Sequence, residues 1–332
     1  MKSVINKKVT SLLLGIALVG IFQAAAQAQA DAYPNRPIKL VITWPVGGFA
    51  DTLGRTVANQ LGPILGQQIV VENRGGANGM IGADAVAKAA PDGYTLMFQS
   101  VTSHAINPTM YGKTPYSTEK DIVPLAVVAS VPMLLVANPS LPAKNIAELI
   151  ALAKKKPDEL SYASFGNGSA SHLAGELFTN QAGIKMNHIP YKGGAPAITD
   201  TLSGQVPMSF SAFGVALPHV KSGKLIALGT TGPARAKLLP DVPTIEEAGN
   251  LKAYEMSIVY AVWAPAGVPA PIVGKLTKAL EQVVASTAFK EKVASDGGEV
   301  MNLSTPAESN VYFQKEMQRL SKIVKDGNIK AD

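Results

Sequence analysis

The sequence predicts an α/β protein built as two lobes. Short apolar runs alternate with amphipathic stretches from residue 38 onward, the pattern of strands alternating with helices. Each half of the chain also repeats one order: a strand, a glycine-rich loop, a helix start. About 300 residues follow an N-terminal leader, more than one hydrophobic core usually serves, so two lobes are expected.

Residues 38–43 read as a strand and 52–65 as a helix with Leu53, Val57 and Leu61 on one face. Residues 69–72 read as a strand, 81–89 as a helix, and 95–99 and 123–129 as strands. A separate strand over 133–138 opens the second lobe. There 146–155 has helical spacing, 160–163 is a strand, 171–180 is a helix carrying Leu173, Leu177 and Phe178, and 224–229 is a buried strand. A strand over 257–264, a loop over 265–271, and helices from Ile272 and Pro306 complete the chain.

The leader has three parts. Lys2, Lys7 and Lys8 precede an apolar run over 12–22, and small residues fill 24–30. This is the pattern of a secretory signal peptide, and the run falls short of the ~20 residues a membrane span needs. Ala26-Gln27-Ala28 and Ala28-Gln29-Ala30 offer cleavage sites, so export, cleavage near Ala30 and a mature start at Asp31 are expected.

Losing three lysines leaves 27 basic residues against 24 acidic ones, a net charge of +3. That balance gives no footprint for nucleic acid. Lys154-Lys155-Lys156 reads as the basic last turn of a helix. The absence of cysteine excludes disulfides, zinc-thiolate sites, thiol nucleophiles and a lipid anchor on Cys. His104, His172, His188 and His219 stand far apart with no zinc-ligand spacing, so no metal is expected. A Gly-x-Ser-x-Gly elbow is missing, and in the Ser117 to Lys120 match Ser117 reads as a helix cap. Glu72-Asn73-Arg74 reads as a turn after a strand, with Arg74 paired locally.

The two glycine-rich loops carry the chemistry. The first runs through Trp44, Pro45, Gly47, Gly48 and Phe49 to Asp51, and the second through Ser164, Phe165, Gly166, Asn167 and Gly168 to Ser169. The first amides of a helix lack partners inside it, and the macrodipole adds about half a positive charge there. Glycines let an anion approach those amides, so a carboxylate is a natural guest. Ser164 and Ser169 add hydroxyls, while Trp44, Phe49 and Phe165 would supply apolar walls. Asp51 and Ser169 are also open to a plain capping role. Neither loop has dinucleotide or P-loop spacing, and no cofactor is expected. His172, one turn into the second helix, reads either as support for that loop or as an ordinary packed or solvent-facing histidine.

An ordered set of segments spans nearly the whole mature chain. It includes Tyr33-Pro34-Asn35-Arg36-Pro37-Ile38, Val70-Val71-Glu72-Asn73-Arg74, Pro91-Asp92-Gly93-Tyr94-Thr95-Leu96, Tyr191-Lys192-Gly193-Gly194 and Ala264-Pro265-Ala266-Gly267-Val268-Pro269. Together with both loops it resembles the Bug/TctC family, the substrate-binding subunits of tripartite tricarboxylate transporters. The resemblance implies a two-lobed periplasmic-binding-protein fold, type II-like, closing as a Venus flytrap on a ligand in the cleft. It implies a first lobe of residues 31–130 plus 254–332 and a second of 131–253. It places Ser211, Ala212 and Phe213 at a third contact segment and Ser100 and Thr102 further out. It also implies a non-catalytic, monomeric carboxylate carrier whose partners are the large and small integral membrane subunits.

Where the family often has a carboxylate, this chain has Gly204-Gln205-Val206-Pro207 and then Phe210-Ser211. That removes a partner for a ligand ammonium and points away from amino acids. An aliphatic dicarboxylate and an aromatic carboxylate both remain open. A periplasmic sensor with the same pocket and, more remotely, an exported hydrolase are the alternatives to transport.

Overall fold

The computed structural model describes residues 33–327 and 329. The leader over 1–30, its cleavage site and the start at Asp31 lie outside the described residues.

The first half runs β1 (Ile38–Ile42), α1 (Phe49–Leu65), β2 (Ile69–Asn73), a short 3-10 turn (Ala77–Gly79), α2 (Met80–Ala87), β3 (Thr95–Ser100) and α3 (Val101–Tyr111). A long strand, β4 (Ile122–Ala137), then leads to α4 (Ile146–Lys155), β5 (Ser161–Ser164), α5 (Ala170–Ala182), β6 (Asn187–Pro190), α6 (Gly194–Ser203), β7 (Met208–Ala212) and α7 (Phe213–Lys221). The chain closes with β8 (Ile226–Thr230), α8 (Ile245–Gly249), β9 (Ser257–Pro265), α9 (Ala270–Ala285), α10 (Thr287–Ser295), β10 (Glu299–Leu303) and α11 (Pro306–Asp326).

The strands form one ladder in the order β2-β1-β3-β9-β4-β7-β5-β6, with β10 and β8 also paired to β4. At one end β1 lies parallel between β2 and β3; at the other β5 lies parallel between β6 and β7. The echo between the halves is therefore a repeated β-α-β-α-β-α unit. Runs such as Leu40-Val41-Ile42 and Leu96-Met97-Phe98 are buried on both faces, as parallel strands are.

The sequence divides β4 into two strands, and the structure joins them. Residues Ile122 to Pro132 pair with β9, and Met133 to Ala137 pair with β7 and β8. Pro132 stands where β4 exchanges one partner for the next, a register at which a missing N–H disturbs the ladder least. The chain recrosses beside that point: Thr231 Oγ1 donates to Met256 O at 2.6 Å and accepts from Met133 N at 2.8 Å.

The helix expected to start at Ser117 is a turn instead. The amides of Lys120 and Asp121 donate to Ser117 O, and the Asp121 carboxylate takes up Ser117 N–H at 2.7 Å. Arg74 is paired to Glu72 and Lys154 and Lys155 fill the last turn of α4, as read from the sequence. Helix α3 was invisible in the sequence because all seven residues from Val101 to Asn107 are buried, polar and apolar alike. Such a helix has no amphipathic period.

Candidate functional site

The carboxyl ends of β1, β3, β5, β6 and β7 each run into a helix start, and five of these starts line one cavity of about 170 Å³. Clefts outside the carboxyl ends of strands are where open α/β folds hold ligands. The N-cap residues are Gly48 for α1, Ser100 for α3, Ser169 for α5, Gly193 for α6 and Ala212 for α7, and all five are in the lining. Ser100 and Ser169 use their hydroxyls to accept from the amides of Ser103 and His172. Gly48, Gly193 and Ala212 give their helices no side-chain cap. The first amides of those helices thus get no acceptor from their own N-cap side chains.

The walls are mainly apolar: Trp44, Val46, Phe49, Phe165, Val215 and Ile258, with Tyr260 behind Phe49 at a ring distance of 5.4 Å. The enclosed indole N–H of Trp44 finds no protein acceptor. Among the lining residues no side chain is acidic, and Lys192 alone carries a formal charge. It has no ion-pair partner among the described residues. An anion thus meets donors on several sides; a buried acid behind the walls, Asp296, is paired with Lys292 at 2.6 Å.

The structure sorts the sequence candidates into two layers. Trp44, Pro45, Gly47, Gly48 and Phe49 line the cavity, as do Phe165, Ser169, Ala212 and Ser100. The others stand behind. Asp51 is buried, accepting from Gly47 N at 3.0 Å, Asn73 Nδ2 at 2.8 Å and Arg55 Nε at 2.9 Å. Burial pushes its carboxyl up, but those three donors outweigh burial and hold it below the usual carboxylate range. Ser164 Oγ lies 2.6 Å from His188 Nε2 and accepts from Gly166 N at 3.0 Å. The carbonyls of Asn167 and Gly168 accept from Tyr111 and Asn78, and Gly166 O accepts from Ser169 Oγ. Ser211 pairs with Ser209, Thr102 donates to Ser257 O at 3.3 Å, and Phe213 is buried in a small apolar cluster.

His172 is not solvent-facing. Its Nδ1 accepts from Gly168 N at 3.2 Å, and its ring stacks on His188 with centroids 3.9 Å apart. Burial and the neighbouring His172 push His188 down to about 3, so the His188 ring is a neutral floor beneath the second loop.

A model of the tripartite tricarboxylate transporter family receptor, TctC, matches residues 53–329. The chain belongs to this family. The chain is 37% identical over 320 residues to Protein BugT of Bordetella pertussis, a match covering 95% of this chain and 98% of that one. Its fold is similar to the periplasmic binding protein BugD, with a TM-score of 0.83 and 35% identity over 90% of this chain and 99% of BugD. It is likewise similar to R. palustris Rpa4515 with adipate, with a TM-score of 0.85 and 34% identity over 90% of this chain and 99% of that one. These matches give the chain the two-lobed fold of periplasmic binding proteins.

The sequence reading missed the lining at Lys192, Gly193, Gly194 and Ser103, and the wall residues Val215, Ile258 and Tyr260. The first three had a signal: Lys192-Gly193-Gly194 is a third glycine-rich strand-to-helix turn, the same pattern as the loops after β1 and β5. Tyr260 and Ile258 had none, because they belong to a wholly buried strand.

Proposed function

We propose that this chain captures a small carboxylate in the periplasm and delivers it to the large and small membrane subunits of a tripartite tricarboxylate-type transporter, without catalysis. The observation that carries the reading is the convergence of five helix N-termini on a cavity whose lining has no acidic side chain. Each N-terminus contributes about 0.3–1 kcal/mol to an anion, more where water is excluded, so five amount to a few kcal/mol without a fixed cation. The apolar walls suit the carbon skeleton, and the cavity has the volume of about six waters.

The adipate bound to Rpa4515 supports a dicarboxylate, and Lys192 offers a site for a second carboxylate. An aromatic carboxylate fits the same walls. Export follows from the leader over 1–30, cleaved near Ala30. The lobes are residues 31–130 with 254–332, and 131–253, hinged where β4 and the 231–256 crossing lie side by side.

The test is thermal unfolding of residues 31–332 against succinate, malate, adipate, citrate, benzoate and glutamate. A ligand that binds only the folded state stabilises it by about 2.7 kcal/mol at a hundredfold its dissociation constant. A shift with one carboxylate class supports capture. No shift with any of them, on protein shown by mass spectrometry to carry no bound acid, overturns it.

A further inference from the structure

Two side chains of the first half reach across the cleft to consecutive carbonyls of the second ligand loop. Asn78, in the 3-10 turn before α2, donates from Nδ2 to Gly168 O at 2.8 Å, across 90 positions of sequence. Tyr111, the last residue of α3, donates from its hydroxyl to Asn167 O at 3.0 Å. Neither Asn78 nor Tyr111 is in the lining of the cavity, and neither Asn167 nor Gly168 is. The four form a second contact zone behind the ligand site.

The zone is built for these bonds. Asn78 takes a left-handed backbone, φ 50° and ψ 37°, which asparagine tolerates better than most residues. Its amide also donates to Asn107 Oδ1 at 2.8 Å, and that second bond fixes the side chain in its reach toward Gly168. Gly168 has φ +70°, and a Cβ there would stand 3.2 Å from both Asn78 Nδ2 and Tyr111 Oη. A glycine is needed for the backbone turn and for this close approach together. Helix α3 joins the zone to the cavity, since its N-cap Ser100 lines the cavity while Asn107 and Tyr111 sit ~10 and ~16 Å further along the same helix.

We propose that Asn78 and Tyr111 are positioning residues that latch the loop over Gly166 to Ser169 onto the first lobe when the cleft is shut. They hold Ser169 and the start of α5 at the cavity, and so set how long a ligand stays. With the lobes apart, the Asn78 amide, the Tyr111 hydroxyl and the two carbonyls would face water instead. The latch therefore acts on the closed state and on dissociation, not on encounter. The proposal rests on the carboxylate reading only for the choice of ligand.

The test uses Tyr111→Phe, which removes one hydroxyl, and Asn78→Asp, which keeps the left-handed tolerance and replaces the donor with an acceptor. Stopped-flow fluorescence of Trp44, a cavity-lining residue, reads binding of succinate, adipate and benzoate. Tyr111→Phe is expected to speed dissociation about 2- to 10-fold, the worth of one hydrogen bond, and Asn78→Asp by more. Association stays within about twofold in both. Unchanged dissociation in both variants, or association slowed as much as dissociation is hastened, overturns the proposal. Hydrogen exchange of the Phe165 to Ser169 amides in ligand-free protein reads the latch independently, because the ligand-free chain interconverts between open and shut clefts and the latch weights the shut one. Faster exchange in both variants supports it and equal exchange overturns it, even where none of the three acids binds and the carboxylate reading alone has failed.

Discussion

The Asp51 carboxylate accepts the Gly47 N–H at 3.0 Å, so the one acid in the first ligand loop is turned inward as the loop's brace. It also gathers Asn73 and Arg55, tying the loop to β2 and to the second turn of α1. Replacing Asp51 with Ala leaves three donors unmatched around a buried site. A stability loss of about 2–4 kcal/mol is expected in urea unfolding, with weaker ligand binding as a consequence of the loosened loop. A loss below about 0.5 kcal/mol would remove the bracing role.

Gly48 separates the site from the fold. Its φ is −79°, and a Cβ there would meet only Pro45 O at 3.6 Å. Gly48→Val should therefore fold with stability within about 1 kcal/mol of the parent, while its methyls occupy the cavity and lower affinity at least tenfold, about 1.4 kcal/mol. Calorimetric titration beside thermal unfolding checks both halves. Gly168→Val, at φ +70° against Asn78 and Tyr111, should lose stability as well.

Lys192 should discriminate by ligand charge. An exposed lysine contributes about 0.2–1 kcal/mol to an anion. Lys192→Gln is expected to weaken a dicarboxylate up to about fivefold at low salt, less in 0.5 M salt, and to leave a monocarboxylate of the same length unchanged. Equal effects on both acids would deny Lys192 contact with a second carboxylate.

Two buried histidines predict how stability responds to acid. Burial pushes His104 down to about 4, against the pull of the Thr118 carbonyl, and burial with His172 alongside pushes His188 down to about 3. Both lie below the ~6.5 of the unfolded chain, which therefore binds more protons between those values. Stability is complete above about pH 6.5 and falls as the pH drops toward 4, before most carboxylates titrate. A melting temperature that stays flat from pH 7 to 4.5 would contradict this environment for the pair.

Much of the fold was legible because α1, α4 and α9 carry helical periods and β1, β3 and β9 each hold a short apolar run. Helix α3 and the junction of β4 were not, since burial on all sides erases the period of the one and a proline interrupts the reading of the other. At the site, the glycine loops could be read as anion-facing turns. Which of their residues face the cavity could not, because Asp51 and Ser164 turn away toward Asn73 and His188, partners 22 and 24 positions distant. The third glycine turn at Lys192-Gly193-Gly194 follows the same rule.

The central claim is that backbone amides at helix N-termini hold an anion. Its most direct measurement is calorimetric titration of residues 31–332 with the carboxylic acid that stabilises the protein most, beside its neutral methyl ester. The acid should bind one per chain and the ester should show no heat of binding, since the ester keeps the carbon skeleton and loses the charge that the amides pair. An ester that binds as tightly as the acid would contradict the claim.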